Sequence, residues 1–342
     1  MSGRNQHHFW QVLQRGFGLE RKPDYTTVFV YQKDREPFPV GTRNFGAERD
    51  FFDFEPGSGA DSLITKTENE LQGLVRYLQN GGQVTTDHTA SLSMLIAHLE
   101  TRTKFIRQHF AETVSDLMSE LNGWFADPVI FRKVMKRYAS ENPDEIDALL
   151  AKEISDPITR SAITEFLIDN FEKLDQKLFK TVSNNIADSM KSFLEEISET
   201  AKKSHIKALL NTPSGNPRQS RYLGLNYRLK SGFDGNLICP DTMATFLTAR
   251  KPKPFLDKDD QLESVWIPLT SDLMLIGEPR ASADRSNQSV LRVLASTSYS
   301  AFIASSDSSQ LRALMSRIGK NAHILSASDI KAVKREFLKG LQ

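Results

Sequence analysis

The sequence predicts an α+β protein, with a small N-terminal α/β segment, a large central helical bundle and a C-terminal mixed β-sheet region. Three observations predict it. A β-branched and aromatic run, Thr26 to Tyr31, reads as a buried strand close to the N-terminus. Two long apolar stripes recur at steps of three, four and seven through the middle of the chain. After the segment Asn211-Thr212-Pro213-Ser214-Gly215-Asn216-Pro217, short apolar runs of strand length alternate with short helical patterns.

Taken in order, residues 1–60 open with Phe9, Val12, Leu13 and Phe17 at helical spacing, which predicts a helix from about His7 to Phe17. The turn cluster Lys22-Pro23-Asp24-Tyr25 precedes the strand, and the aromatic stretch from Phe45 to Phe54 predicts a second short one. Residues 61–211 read as helical. Leu92, Leu95, Leu99, Ile106, Phe110, Val114, Leu117 and Leu121 predict one helix of about 30 residues. A second stripe runs from Ile163 to Ile197, close enough to heptad spacing to pair with a second copy of the chain through 160–198. Asp127-Pro128 and Asn142-Pro143 read as capped helix starts. Residues 212–342 form the third region, a basic α/β stretch expected to pack with 1–60. Its strands are predicted around Arg221–Leu229, Leu237–Cys239, Met243–Leu247, Val265–Ile267, Leu273–Ile276 and Ala301–Ile303, with helices near 287–298, 308–318 and 327–340.

The composition, 39% hydrophobic and 25% charged, is globular rather than disordered. A formal net charge of +1 places any attraction to polyanions in a local patch. Cys239 is the only cysteine, so an intramolecular disulfide is excluded and a structural zinc would need His and carboxylates. No apolar stretch approaches the length of a membrane span, and the N-terminal residues lack the apolar core of a signal peptide; the expectation is a cytoplasmic protein with no membrane partner. The sequence contains no GxxxxGK[ST] loop, no GxGxxG between strand and helix, no HExxH and no GxSxG, which removes P-loop NTPases, Rossmann dehydrogenases, zincins and common α/β-hydrolases. His88, His98 and His109 stand too far apart along their helix for a compact i, i+4 metal pair, so no metal site is assigned, although a divalent metal remains open as a cofactor.

Charge is uneven along the chain. From Lys202 to Lys253 ten Lys/Arg face two Asp, and Tyr222 and Tyr227 lie among Arg218, Arg221, Arg228 and Lys230. That interleaving points to phosphate contacts with bases stacked between them, and so to a nucleic acid or nucleotide as partner.

The segment Asn5-Gln6-His7-His8-Phe9-Trp10-Gln11-Val12-Leu13-Gln14-Arg15-Gly16-Phe17 resembles the opening Asn/Gln-His-Tyr-Val-Pro-x-Phe-x-Leu-Arg-x-Phe pattern of domain-of-unknown-function family 4238. His7, the neighbourhood of Leu13, Arg15 and Phe17 are in register with it, while Trp10 stands where the family has proline. Thr27 to Lys33, Leu99 to Thr103, and the pair Pro240 to Met243 with Ile267 to Thr270 resemble its later patches, in the same order. The family carries no established activity. Its order of patches implies that the N-terminal segment meets Asp241.

Within that frame His7 and Arg15, eight residues apart on one predicted helix, share a face. A neutral imidazole can act as a base and a guanidinium can clamp a phosphate. Asp241 would orient the imidazole, and Arg102 or Arg107 would be further anion contacts. The expected function is a nuclease-like phosphodiesterase of bacterial stress or phage defence. A non-catalytic nucleic-acid or nucleotide-binding protein, and a helical assembly protein, stand beside it.

Overall fold

The structure is a computed structural model, and it describes residues 5–19, 26–52, 60–170, 176–210, 217–280, 285–325 and 327–339. It is an α+β fold. In chain order come β1 (Asn5–His7), α1 (Gln11–Arg15), β2 (Thr27–Gln32), β3 (Phe38–Gly41), β4 (Ala47–Arg49), α2 (Ala60–Gln79), α3 (Thr89–Thr101) and α4 (Lys104–Phe125). Helices α5 (Pro128–Glu141), α6 (Pro143–Leu150), α7 (Pro157–Asn170), α8 (Gln176–Leu210) and the one-turn α9 (Pro217–Ser220) follow. The remainder is β5 (Asn226–Lys230), β6 (Cys239–Pro240), β7 (Thr245–Thr248), β8 (Pro252–Lys253), β9 (Leu262–Pro268), β10 (Met274–Glu278), α10 (Asn287–Thr297), β11 (Ala301–Ala304), α11 (Ser309–Arg312) and α12 (Ala327–Lys339).

The chain divides into two compact units, one made of residues 1–110 and 199–324, the other of 111–198 and 325–342. Among the described residues the first unit holds every strand. Its sheets run β5-β10-β9-β7-β8, β3-β2-β11-β6 and the small pair β1-β4, and all their pairings are antiparallel. Phe9, Leu13 and Phe17 of the N-terminal segment, Val28 and Val30 of β2, Leu71 and Val75 of α2, Leu92 and Leu99 of α3, and Ile267, Leu275 and Phe302 from the sheets share one core. Helices α2 and α3, read from sequence as part of the 61–211 bundle, therefore pack with the strands of 1–60 and 212–342. In the second unit α5, α6 and α7 pack on one another.

Three local expectations change. The N-terminal helix is only Gln11–Arg15. Residues 5–7 form a strand, with Gln6 opposite Glu48 of β4, so His7 is not on a helix and shares no helical face with Arg15. Gly46 before β4 has φ +67°, and a Cβ there would lie 2.4 Å from Phe9 Cβ, so the β1–β4 pair closes over Phe9 only with glycine. The stripe from Leu92 to Leu121 is broken at Arg102-Thr103 into α3 and α4, because Arg102 turns inward. The stripe from Ile163 to Ile197 falls on α7 and α8, and its residues 171–175 lie outside the described residues. Phe193 on it is exposed. At the helix starts Asp127 does cap, accepting from Val129 N–H and Ile130 N–H, whereas Asn142 turns its amide back to donate to Tyr138 O. Among the described residues no helix is long and apolar enough to cross a membrane.

Candidate functional site: a basic groove on the five-stranded sheet

Side chains alternate across a strand, so one register assigns every residue of β5, β10 and β9 to a face. Lys230 pairs with Met274, Arg228 with Ile276 and Asn226 with Glu278, while Ile276 pairs in turn with Trp266 of β9. Lys230, Arg228, Met274, Ile276, Glu278, Trp266 and, two residues before it, Ser264 therefore share one face. Tyr227 and Leu229 point the other way. The Tyr227 ring covers Gly277, where a Cβ would lie 2.8 Å from it, and its hydroxyl donates to Tyr222 O at 2.7 Å.

Over the first face opens a cavity of about 640 Å³. That is within the usual range for a small-molecule site. Its apolar floor is Trp266, Ile276 and Met274, with Leu247 and Val290 at the side; its cations are Arg228, Lys230, Arg280 and Arg285; its carboxylates are Glu263 and Glu278. Among the described residues four cations against two carboxylates leave the groove net basic on a chain that is almost neutral. The groups are interlocked. Lys230 Nζ donates to Arg285 O at 2.8 Å, and the Arg285 guanidinium lies 5.7 Å from the Trp266 ring centre. Arg228 Nη2 stands 3.6 Å from Glu278 Oε1, to which Ser264 Oγ donates at 3.4 Å.

Of the binding residues read from sequence, only Arg228 and Lys230 reach this groove. Tyr222 is fully buried, and its hydroxyl donates to Glu100 Oε2 at 2.7 Å, which with burial pushes its pKa far up; it offers no face to a base. Arg221 donates to the backbone oxygens of Asp257 and Asp260. Arg102 is 1% exposed and is held by Glu68 Oε1, His7 O and His98 Nε2. Arg107 lies 3.8 Å over the Phe51 ring and donates to Phe51 O at 2.6 Å; burial lowers its pKa to about 10. These two arginines clasp the N-terminal strands to α3 and α4 and are not anion contacts.

The proposed catalytic set is likewise spent on the fold. His7 Nε2 donates to Thr42 O at 3.2 Å, and burial lowers its pKa. Gln11 links it to Arg15, since Gln11 Nε2 donates to Thr42 Oγ1 and Arg15 Nη2 donates to Gln11 Oε1 at 3.1 Å. Asp241 sits apart from that chain. Its carboxylate accepts from Tyr299 N–H at 2.7 Å, Ser300 N–H at 2.8 Å, Ser300 Oγ–H at 2.7 Å and Ala301 N–H at 3.0 Å, which ties β6 to the start of β11. From the N-terminal segment His8 and Phe9 line a cavity of about 210 Å³ together with Asp241, Ser300, Glu48 and Lys104. Burial pushes the His8 imidazole down to about 3, so it is neutral, and its Nδ1 has no hydrogen-bond partner. Among the described residues no three His, Cys, Asp or Glu side chains are grouped to hold a metal ion.

Trp266, Ser264, Glu263, Glu278, Arg280 and Arg285 escaped the sequence reading because β9 and β10 read there as plain apolar strands. The signal was present in the charges at their ends, Glu263 and the Glu278-Pro279-Arg280 step. No family model, no curated protein and no solved structure matches the chain.

Proposed function

We propose that the protein binds a nucleotide in the basic groove of the five-stranded sheet. The observation that carries this reading is the convergence of Arg228, Lys230, Arg280 and Arg285 around Trp266 in one concave site of about 640 Å³. Guanidinium groups bind phosphate oxygens through paired N–H donors, and lysine binds them as a point charge. The apolar floor accepts a base. A concave site of this size favours a nucleotide over a long strand, which would need a groove tracking its backbone. Hydrolysis of a phosphodiester by His7, Arg15 and Asp241 stays outside this proposal, because each of those side chains is engaged in the fold. Membership of domain-of-unknown-function family 4238 remains a proposal of its own, resting on the four sequence patches.

The test is calorimetry with Mg-ATP and Mg-GTP on the whole chain, beside the double variant R280E/R285E. Both residues are exposed, so the exchange leaves the core alone. The expected result is binding that weakens as salt rises and drops at least about tenfold in the variant, roughly 1.4 kcal/mol. Affinity weaker than about 1 mM for both nucleotides at low salt overturns the proposal. Binding only to single-stranded oligonucleotides would assign the groove to nucleic acid instead.

A further inference from the structure

Between Ser308 and Ile324 the chain carries Arg312, Arg317 and Lys320 and no acidic residue. Arg312 is paired with Asp307 at 2.6 Å and with Glu36. Arg317 ends the 3₁₀ turn Met315–Arg317 and lines a cavity of about 360 Å³ with Arg292, Gln288, Gln310 and Ser316. Gln288 and Arg292 stand four residues apart on α10 and so share one of its faces. Ser316 also lines a neighbouring cavity of about 490 Å³, where Lys320 and Lys33 stand with Ser300. Lys33 reaches that place through the sheet, since Gln32 of β2 pairs antiparallel with Ala301 of β11, which sets the next residue opposite Ser300.

Among the described residues Arg292, Arg317, Lys320 and Lys33 make no ion pair and no side-chain hydrogen bond, and no carboxylate lines either cavity. Four unpaired cations around two adjoining hollows concentrate positive potential there. The backbone beneath them is fixed. Gly319 N–H donates to Ser298 O at 2.9 Å, Asn321 N–H to Ser296 O at 2.8 Å and Asn321 Nδ2 to Ser296 Oγ at 2.8 Å, which clamps the Arg317–Lys320 segment to the end of α10.

Guanidinium, ammonium, amide and hydroxyl donors are the set that meets phosphate oxygens along a nucleic-acid backbone. Two such sets, joined at Ser316, match an anion that repeats along a chain. A single strand can bend into both hollows, whereas a duplex is stiff over about 150 base pairs and presents a convex surface. An anionic membrane fits less well, because none of the exposed large apolar side chains among the described residues lines either cavity, and docking on lipid buries such side chains.

We propose that the two cavities form a track for the sugar–phosphate backbone of a single-stranded nucleic acid, with Arg292 and Arg317 holding one phosphate and Lys33 and Lys320 another. The track shares no lining residue with the nucleotide groove and stands whether or not that groove is filled.

The experiment measures fluorescence anisotropy of a labelled thymidine oligonucleotide of about 20 nucleotides with the whole chain over a range of salt. The double variants R292Q/R317Q and K33Q/K320Q are compared with it; all four residues are exposed or half-buried. Four neutralised phosphates predict that log K falls with log salt at a slope of about −3, and each double variant should reduce the slope by about 1.4 and weaken binding at least about tenfold at low salt. No binding of the strand at low salt overturns the proposal, and capture of phosphatidylserine vesicles in its place would assign the cations to a membrane. A slope unchanged in both double variants overturns it as well. So does a loss confined to R280E/R285E, which would seat the strand in the nucleotide groove. A duplex bound more tightly than the strand refutes the single-stranded track. Should one double variant not fold, the other still tests its own half.

Discussion

Acidification should unfold the strand-bearing unit through its buried histidines, and His205 allows the effect to be isolated. His205 lies on α8 and is 3% exposed. Its Nε2–H donates to Thr101 O at 2.6 Å, and its Nδ1 accepts from Arg107 Nη2 at 3.3 Å. The second bond requires the neutral ring, since only an unprotonated Nδ1 can accept. Protonation would place a second N–H, and a second positive charge, against the Arg107 guanidinium. Burial, with Arg107 adding to it, lowers the pKa from 6.5 to about 4. Above pH 6.5 the ring is neutral folded and unfolded, and its contribution is whole. Below 6.5 the unfolded chain takes up a proton that the folded chain refuses, so stability falls until the folded ring titrates near 4. At about 1.4 kcal/mol per pH unit the loss amounts to roughly 3 kcal/mol. His8, lowered to about 3, and His7 and His98, also lowered by burial, act in the same direction. His205→Gln separates the one group from the rest, since a Gln amide can donate and accept but cannot titrate. Urea unfolding at neutral pH and near pH 4.5 would be measured for both proteins. The variant should be the less stable at neutral pH, and the gap should close by roughly 2–3 kcal/mol in acid. A gap that does not change with pH refutes the neutral-clasp reasoning.

Two further outcomes follow from the clasps. Arg102→Met removes the cation that joins Glu68, His98 and the His7 carbonyl and that lies 5.9 Å from the Trp10 ring centre. Urea unfolding should show a loss of about 3–5 kcal/mol, with part recovered when Glu68→Leu is added; a change under about 1 kcal/mol counts against the clasp. Asp241→Asn places an NH₂ group among three N–H donors and a hydroxyl, and should cost roughly 2 kcal/mol or more, read as a lowered Tm. An unchanged Tm would show that the β6–β11 tie does not need the charge.

Much of the first unit was legible residue by residue. Thr27 to Gln32 and Met274 to Glu278 are strands because short β-branched and apolar runs bounded by turns fit a pleated, buried surface. Asp127-Pro128 starts α5 because a carboxylate acceptor and a proline at N1 satisfy the free amides of the first turn. The N-terminal segment was misread as a helix because Phe9, Leu13 and Phe17 keep helical spacing, while the pairing of Gln6 with Glu48 that makes residues 5–7 a strand is 42 positions away. Periodicity reports which side chains are buried, and it is blind to the partner that buries them.

The same limit governs the site. Sequence alone determined that Arg228 and Tyr227 would take opposite strand faces, since alternation is a property of the strand itself, and grouping them as one stacking set disregarded it. It did not determine which cations would be spent inside. Arg102, Arg107 and Arg221 read as well as any phosphate contact until their partners, Glu68, Phe51 and the Asp257–Asp260 turn, were brought beside them by pairing across 34 to 56 positions of chain. Nor could it place Arg285 over Trp266 or Glu278 beside Ser264. Charge is local in sequence, but desolvation and pairing are decided by neighbours in space. The tertiary structure alone therefore distinguishes an arginine that clasps the fold from one that lines a groove.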